Sequence, residues 1–299
     1  GPRPTPHAMS SFPSRRRRRP RRCGEVRPSA DWADLPIDAL LSVLQYLETI
    51  ELMVGGAGRV CRSWRRAIRN EPELWRRIDM RIHKYHNYRI DEGMAKEAVR
   101  RGSGRCESFW GEDATDHFLL FLTEQAPSLK SLRLISSKHI TNEGLLAALN
   151  KFPVLEELEL SLCKHVFGKV YEGIGIACPR LKCLKVSYPC FYSIEDIEYN
   201  KDEEALGIAT MFVLRSLQLF GSELTNAGLA TILDNCPHLV YLDVRHCFNI
   251  HMDITLRAKC AGIKTMKLPH GSTDDYEFQI ENPVRTRARK PRRDYKPYV

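Results

Sequence analysis

Several kinds of signal are missing from these 299 residues. There is no run of about 18 or more apolar residues, so no membrane-crossing helix is expected. There is no Cys-x-x-Cys pair, and the tightest cysteine cluster (Cys178, Cys183, Cys190) lacks zinc-ligand spacing. No Asn-x-Ser/Thr acceptor occurs. Gly-x-Ser-x-Gly, phosphate-loop, His-Glu-x-x-His and Gly-x-Gly-x-x-Gly patterns are all missing. His83 and His86 stand three apart in a charged stretch with no third ligand nearby, which reads as surface. Neither a catalytic residue, a metal nor a cofactor is expected. The ten cysteines read as free thiols in a reducing compartment.

Acidic residues are scarce at both ends. Residues 1–30 hold nine arginines against Glu25 alone, and residues 283–299 hold seven Lys/Arg against Asp294 alone. The formal charge of +9 is therefore a terminal property, and residues 31–282 carry −5. Residues 1–30 also have few large apolar side chains, so they are expected to stay disordered, as is most of 271–299. The run Arg15–Arg19, Pro20, Arg21, Arg22 suits a nuclear-import signal or a phosphate-binding arm, with the nucleus and/or cytoplasm as the setting. A nucleic-acid- or chromatin-associated protein gripping phosphates through such arms is the competing reading.

Three short apolar sets follow. Leu40, Leu41, Val43, Leu44 and Leu47 lie at helical spacing after Leu35-Pro36. The second set is Leu52, Val54, Val60, Cys61, Trp64 and Ile68, and the third is Leu74, Trp75 and Ile78. That is more apolar surface than three short helices can bury among themselves, which predicts a small helical module docked on another protein. Gly55, Gly56 and Gly58 inside the second set predict either a broken helix or a module weak without its partner.

From Pro127 onward the pattern L-x-x-L-x-L recurs. It reads Leu129/Leu132/Leu134, Leu155/Leu158/Leu160, Leu181/Leu184/Val186, Leu214/Leu217/Leu219, Leu239/Leu242/Val244 and Ile263/Met266/Leu268. The starts are 26, 26, 33, 25 and 24 residues apart, and four of these spacings lie in the leucine-rich-repeat window. Each L-x-L is a short strand with its leucines on one side, followed by a helical stretch. One such unit cannot close a core; stacked units bury a leucine ladder, at roughly 1.5–3 kcal/mol per leucine. The fold class is α/β, a helical N-terminal module followed by a curved solenoid with a parallel sheet on its concave face. Cys163 and Cys247, and Cys178 and Cys236, recur at fixed offsets and read as small buried residues in stacked turns.

With these residues in view, 35–79 (LPIDALLSVLQYL through VCRSWRRAIRNEPELWRRID) resembles the F-box, and the repeats resemble those of plant F-box/leucine-rich-repeat proteins. The resemblance implies a non-catalytic substrate receptor of an SCF-type ubiquitin ligase. Its F-box would bind a Skp-type adaptor, and through it a cullin–RING ligase, while its repeats capture a protein target. It further implies adaptor contacts from Leu35, Pro36, Leu40, Leu41, Leu44, Leu47, Val60, Cys61, Trp64, Leu74 and Trp75, some of them shared with the module's own core. A repeat adaptor acting outside a ligase is the alternative. The expected organisation is a basic tail over 1–30, the F-box over 31–79, a helical linker over 80–105, repeats over 106–270 and a basic tail over 271–299.

Residues between the ladder leucines should line the concave face and meet the target. They include Arg133, Glu159, Lys185, Gln218 and Asp243 in the middle column, with Phe220, Tyr241 and Arg245 forming the best hot-spot patch. The one long spacing marks an insertion. Its stretch EDIEYNKDEE (195–204) carries −5, matching the whole charge of 31–282, and is expected to project as a loop toward a basic partner.

Overall fold

The computed structural model describes residues 32–81, 91–195 and 199–287, together with Gly1. The basic run 15–22, the N-terminal tail, His83, His86 and residues 288–299 lie outside the described residues.

The N-terminal module runs from a 3-10 turn (Trp32–Asp34) through α1 (Ile37–Leu44), α2 (Thr49–Val54), α3 (Ala57–Val60) and α4 (Arg62–Asn70) to a second 3-10 turn (Pro72–Trp75). Pro36 precedes α1, where its missing N–H costs nothing. A reciprocal capping box opens α2, with the Glu48 N–H donating to Glu51 Oε2 at 2.9 Å. The helix stops at Gly55, where any Cβ would strike the Glu51 carbonyl. The glycine-rich stretch thus breaks the second helix into α2 and α3. Two tryptophans pin the pieces together: Trp64 Nε1 donates to the Trp32 carbonyl at 3.0 Å and Trp75 Nε1 to the Ile68 carbonyl at 2.9 Å.

The solenoid is an eight-stranded, all-parallel sheet in the order β1-β2-β3-β4-β5-β7-β8-β9. The strands are β1 (Arg77–Asp79), β2 (Ser108–Glu112), β3 (Ser131–Ile135), β4 (Glu157–Ser161), β5 (Cys183–Ser187), β7 (Ser216–Phe220), β8 (Tyr241–Asp243) and β9 (Thr265–Lys267), with β6 (Tyr192–Glu195) set apart. The expected ladder is in register: Leu132, Leu158, Leu184, Leu217, Leu242 and Met266 are direct partners. Two strands precede the six read from sequence. In β2 the Phe109 ring fills the level of the next ladder leucine; a Cβ on Gly111 would lie 2.8 Å from that ring. β1 belongs to the end of the helical module, so module and solenoid share one continuous core. The 80–105 stretch holds α5 (Glu92–Arg101), which packs on α6 (Asp116–Gln125) as a full member of the helical layer. That layer continues through α7 (Asn142–Leu149), α8 (Val170–Ala177), α9 (Glu203–Ile208), α10 (Asn226–Asn235) and α11 (Ile254–Lys259).

Two devices lock neighbouring repeats. After the strands, Asp113, Ser136, Leu162, Gly221 and His246 all have positive φ, between 50 and 72°. Each turns its N–H onto the next repeat's carbonyl, at 2.7–3.1 Å. On the helical side, Asp116 accepts from both Thr141 N and Thr141 Oγ1, and Asp202 does the same for Thr225. Thr141 and Thr225 in turn cap α7 and α10. Gly144 and Gly228 sit against these carboxylates with no room for a side chain. The recurring cysteines are buried as expected. Cys163 donates to the Leu134 carbonyl at 3.5 Å, and burial pushes the Cys178 thiol up to about 12.

The insertion is more than a loop. Phe191 is fully buried, β6 follows it, and the run ends in α9, packed on α8. Residues 271–287 of the expected disordered tail are likewise structured. The segment leaves β9, crosses the helix-free face of the sheet and ends in β10 (Val284–Arg287), which pairs in parallel with β6. β10 carries Arg285 and Arg287, and its partner strand β6 ends at Glu195, the first residue of the acidic stretch. Residues 271–282 hold four acids and no Lys or Arg, so the −5 of 31–282 does not reside in one loop.

Glycine substitutions should separate space from propensity. Gly58→Ala, with nothing within 4 Å of the new Cβ, should stabilise by about 1 kcal/mol in urea unfolding. Gly228→Ala gains the same helix propensity but disrupts the Asp202–Thr225 pair, and should destabilise by about 1–2 kcal/mol net.

Candidate functional site: two binding faces

The first face is the outer surface of the helical module. Leu40, Leu44, Trp64, Leu74 and Trp75, expected as adaptor contacts, are interior. Short helices have few other side chains with which to build a core, so these turn inward. Leu35, Leu41, Leu47 and Cys61 are half-buried, while Pro36 and Val60 are exposed. The exposed apolar side chains are instead Trp32, Ile37, Val43, Tyr46 and Val60, with Tyr46 90% exposed. Of these, only Val60 is among the expected adaptor contacts. Val43 and Tyr46 fall off the Leu40/Leu44 stripe, which was the signal for them; Ile37 lies on that stripe and is exposed all the same, at the first turn of α1. Arg62, Arg65, Arg66 and Arg69 of α4 are also exposed, placing positive charge beside this surface.

The second face is the helix-free side of the sheet. The middle column runs in register as Asp79, Trp110, Arg133, Glu159, Lys185, Gln218, Asp243 and Lys267. Trp110 is sandwiched by two guanidiniums, Arg81 at 3.1 Å and Arg133 at 4.4 Å from the ring centre. Arg133 also reaches Glu159 at 3.5 Å, and Ser161 Oγ donates to the same carboxylate at 2.8 Å. Gln218 Nε2 donates to Ser187 Oγ at 2.9 Å.

Of the residues expected to meet a target, Arg133, Lys185, Gln218 and Tyr241 are half-buried on this face. Glu159, Phe220, Asp243 and Arg245 are buried, which corrects their expected exposure. The returning C-terminal segment is the physical reason for Phe220 and Arg245. Tyr276 stacks on Phe220 with ring centres 3.7 Å apart and planes within 10°. Arg245 forks onto Asp243 at 2.7–3.1 Å, and its Nη1 donates to Asp275 at 2.6 Å and to the Ser272 carbonyl at 2.8 Å. Lys267 pairs with the other Asp275 oxygen. Glu277 approaches Arg81 at 3.8 Å, near the opposite edge of the sheet. What remains open is a cavity of about 170 Å³ bounded by Glu159, Lys185, Gln218, Tyr241 and the strap.

A larger cavity, about 320 Å³, lies where the insertion meets the repeat corners, lined by Tyr188, Tyr192, Tyr199 and Glu204 among others. Tyr188 Oη donates to both Glu204 oxygens at 2.7 Å, and burial raises the Glu204 carboxyl above its ordinary value. Among the described residues, no three His, Cys, Asp or Glu side chains form a metal-holding group.

A helical module that leaves several apolar side chains exposed, fused through a shared strand to a leucine-rich solenoid, is the class of protein this fold defines. The comparisons sharpen that class. Residues 32–81 match the family model described as F-box-like. Arabidopsis thaliana F-box/LRR-repeat protein 22 is 39% identical over 264 residues, spanning 86% of this chain and 82% of that protein. F-box protein SKIP19 of the same plant is 36% identical over 266 residues, 85% of this chain and 82% of that protein. Among solved structures, the yeast Rad7 and Elc1 complex aligns at 17% identity and a TM-score of 0.45, over 76% of this chain and 64% of that one. The chain belongs to the F-box/LRR-repeat family of plants.

The strap's hold on the sheet should depend on acid. The Lys267 ammonium, seconded by Arg245, holds the Asp275 carboxyl down from 3.8 to about 2. A depressed carboxyl stabilises the fold above its ordinary value and ceases to do so as pH falls through its folded one. The stability difference between wild type and Asp275→Asn should therefore be constant above about pH 4 and vanish toward about pH 2. Chemical unfolding at stepped pH measures it.

Proposed function

We propose that the chain is the target-receptor subunit of an SCF-type ubiquitin ligase. Its helical module docks a Skp-type adaptor, and its repeats hold a protein for ubiquitination. Family membership supports the role in general. The observation that carries the assignment of faces is the exposed apolar set Ile37, Val43, Tyr46 and Val60 on a module whose own core is already filled. Side chains of this size left in water mark an association surface.

The shared strand adds a mechanical reason. Because Ile78 of β1 lies in the same core as Phe109 of β2, the target face is held at a fixed angle to the adaptor face. Ubiquitin transfer by a separate catalytic subunit needs a target lysine presented at a defined reach, and a rigid joint supplies that. The receptor itself performs no bond chemistry in this reading. The nucleus and/or cytoplasm is the proposed setting.

The test is co-purification with a Skp-type adaptor. Ile37→Asp/Tyr46→Asp should cut recovery at least tenfold while leaving the unfolding midpoint unchanged, since both side chains are exposed. Leu44→Ala should lose adaptor only through destabilisation, by about 2–5 kcal/mol. Full adaptor recovery with the exposed double variant would overturn the assignment of this face.

A further inference from the structure

The strap displays the chemistry that the inner face accepts. From Asp274 to Phe278 the chain reads Asp-Asp-Tyr-Glu-Phe. Asp275 sits between Arg245 and Lys267. Tyr276 lies flat on Phe220, and Phe278 meets Tyr276 edge-on at 5.6 Å. Glu277 faces Arg81, which is itself stacked on Trp110. Two acids and an aromatic ring thus answer three cations and an aromatic ring that the sheet presents. Complementarity of this kind sets the partner that a surface selects.

The hold is also of a kind that can be exchanged. Among the described residues, the backbone–backbone bonds of 272–280 are local, Tyr276 N–H to the Thr273 carbonyl. Continuous pairing resumes only at β10 on β6. Over the face itself the strap is held by side chains, and those of Asp275 and Glu277 are 58% and 56% exposed. The cavity of about 170 Å³ beside it, walled by Lys185, Gln218 and Tyr241, is left unfilled by the strap.

We propose that the inner face is a binding site for extended acidic–aromatic segments of other proteins, and that residues 274–278 are its resident competitor. This rests on reading the repeats as the target-holding surface. A target segment displaces the strap from the sheet while β10 stays on β6. Tethering gives the strap an effective concentration on the order of millimolar, so a weak copy of the motif is refused. A segment that also fills the cavity beyond Tyr241 has contacts that the strap lacks, and it is admitted.

The experiment uses the full chain and a fluorescein-labelled peptide with the sequence of residues 271–280, read by anisotropy. Two strap variants loosen the resident segment: Asp275→Asn/Glu277→Gln, which changes only exposed carboxylates, and Asp275→Asn/Tyr276→Ala. Both should bind the peptide at least tenfold more tightly than wild type, and adding Lys267→Glu should abolish that binding. A scrambled peptide of the same composition should not bind. In wild type, excess peptide should speed hydrogen exchange of the 274–278 amides. Three results would overturn the proposal: a cooperatively folding variant that ignores the peptide, equal binding by wild type, or equal binding of the scrambled sequence. Adaptor recovery measured in parallel separates the readings. Its loss with peptide binding intact counts against the ligase role and leaves this site standing.

Discussion

A five-residue strand with leucines on one side has nothing in its own repeat to bury them against. Its core exists only when the next strand arrives in register, with Leu158 beside Leu132 and Leu184 beside Leu158. That dependence on the neighbour organises the whole chain. It is also seen at the corners, where residues after the strands turn their N–H groups onto the carbonyl one repeat on, five of them at positive φ. It explains why Asp116 and Asp202 each bind the cap residue of the following helix. It also explains how a module of very short helices is held in place. Ile78 continues the ladder, so the module hangs from the first rung.

The ladder was legible because its chemistry is simple: one residue type, on one side, at a fixed period. Legibility ends where a different residue does the same job. At β2 a single phenylalanine and a glycine replace two leucines, and the pattern disappears from the sequence although the strand does not. The corners are similar. Asp, Ser, Leu, Gly and His share one backbone conformation there, each donating its N–H to the next repeat, and no local propensity common to the five announces it. In the helical module the composition correctly indicated surplus apolar surface. Which side chains were surplus depended on how the short helices pack: Leu40, Leu44, Trp64 and Trp75 went inside, while Trp32 and Tyr46 stayed out.

Charge was the most instructive quantity. Summed by terminus and middle, it located the basic tails and the acidic insertion. Summation cannot show which charges face each other. Asp274, Asp275 and Glu277 sit just before a run of arginines, and in a window they vanish into a tail that is basic on balance. In three dimensions Asp275 lies over Arg245 and Lys267 and Glu277 near Arg81, while the arginine-bearing strand continues to β6. Acids that pair with the sheet and arginines on the strand that follows, a few residues apart, cancel on paper. The residues expected to meet a target lie on one face, yet half of them are buried: Phe220 and Arg245 under the chain's own returning segment, Glu159 and Asp243 under side chains of the face itself.

The β6–β10 pairing has a further consequence for how the molecule comes apart. An open stack of repeats frays from its last rung, each unit leaving at the cost of one interface. Here the chain beyond β9 returns to the middle of the stack and is fastened there. The rungs from β7 to β9 therefore lie within a closed loop rather than at a free end. Loosening β9 releases little disorder while the clasp holds, since both ends of the loop stay anchored. The C-terminal half should come apart as one block, with the clasp as its latch. An open array has been turned into a ring of mutually dependent parts.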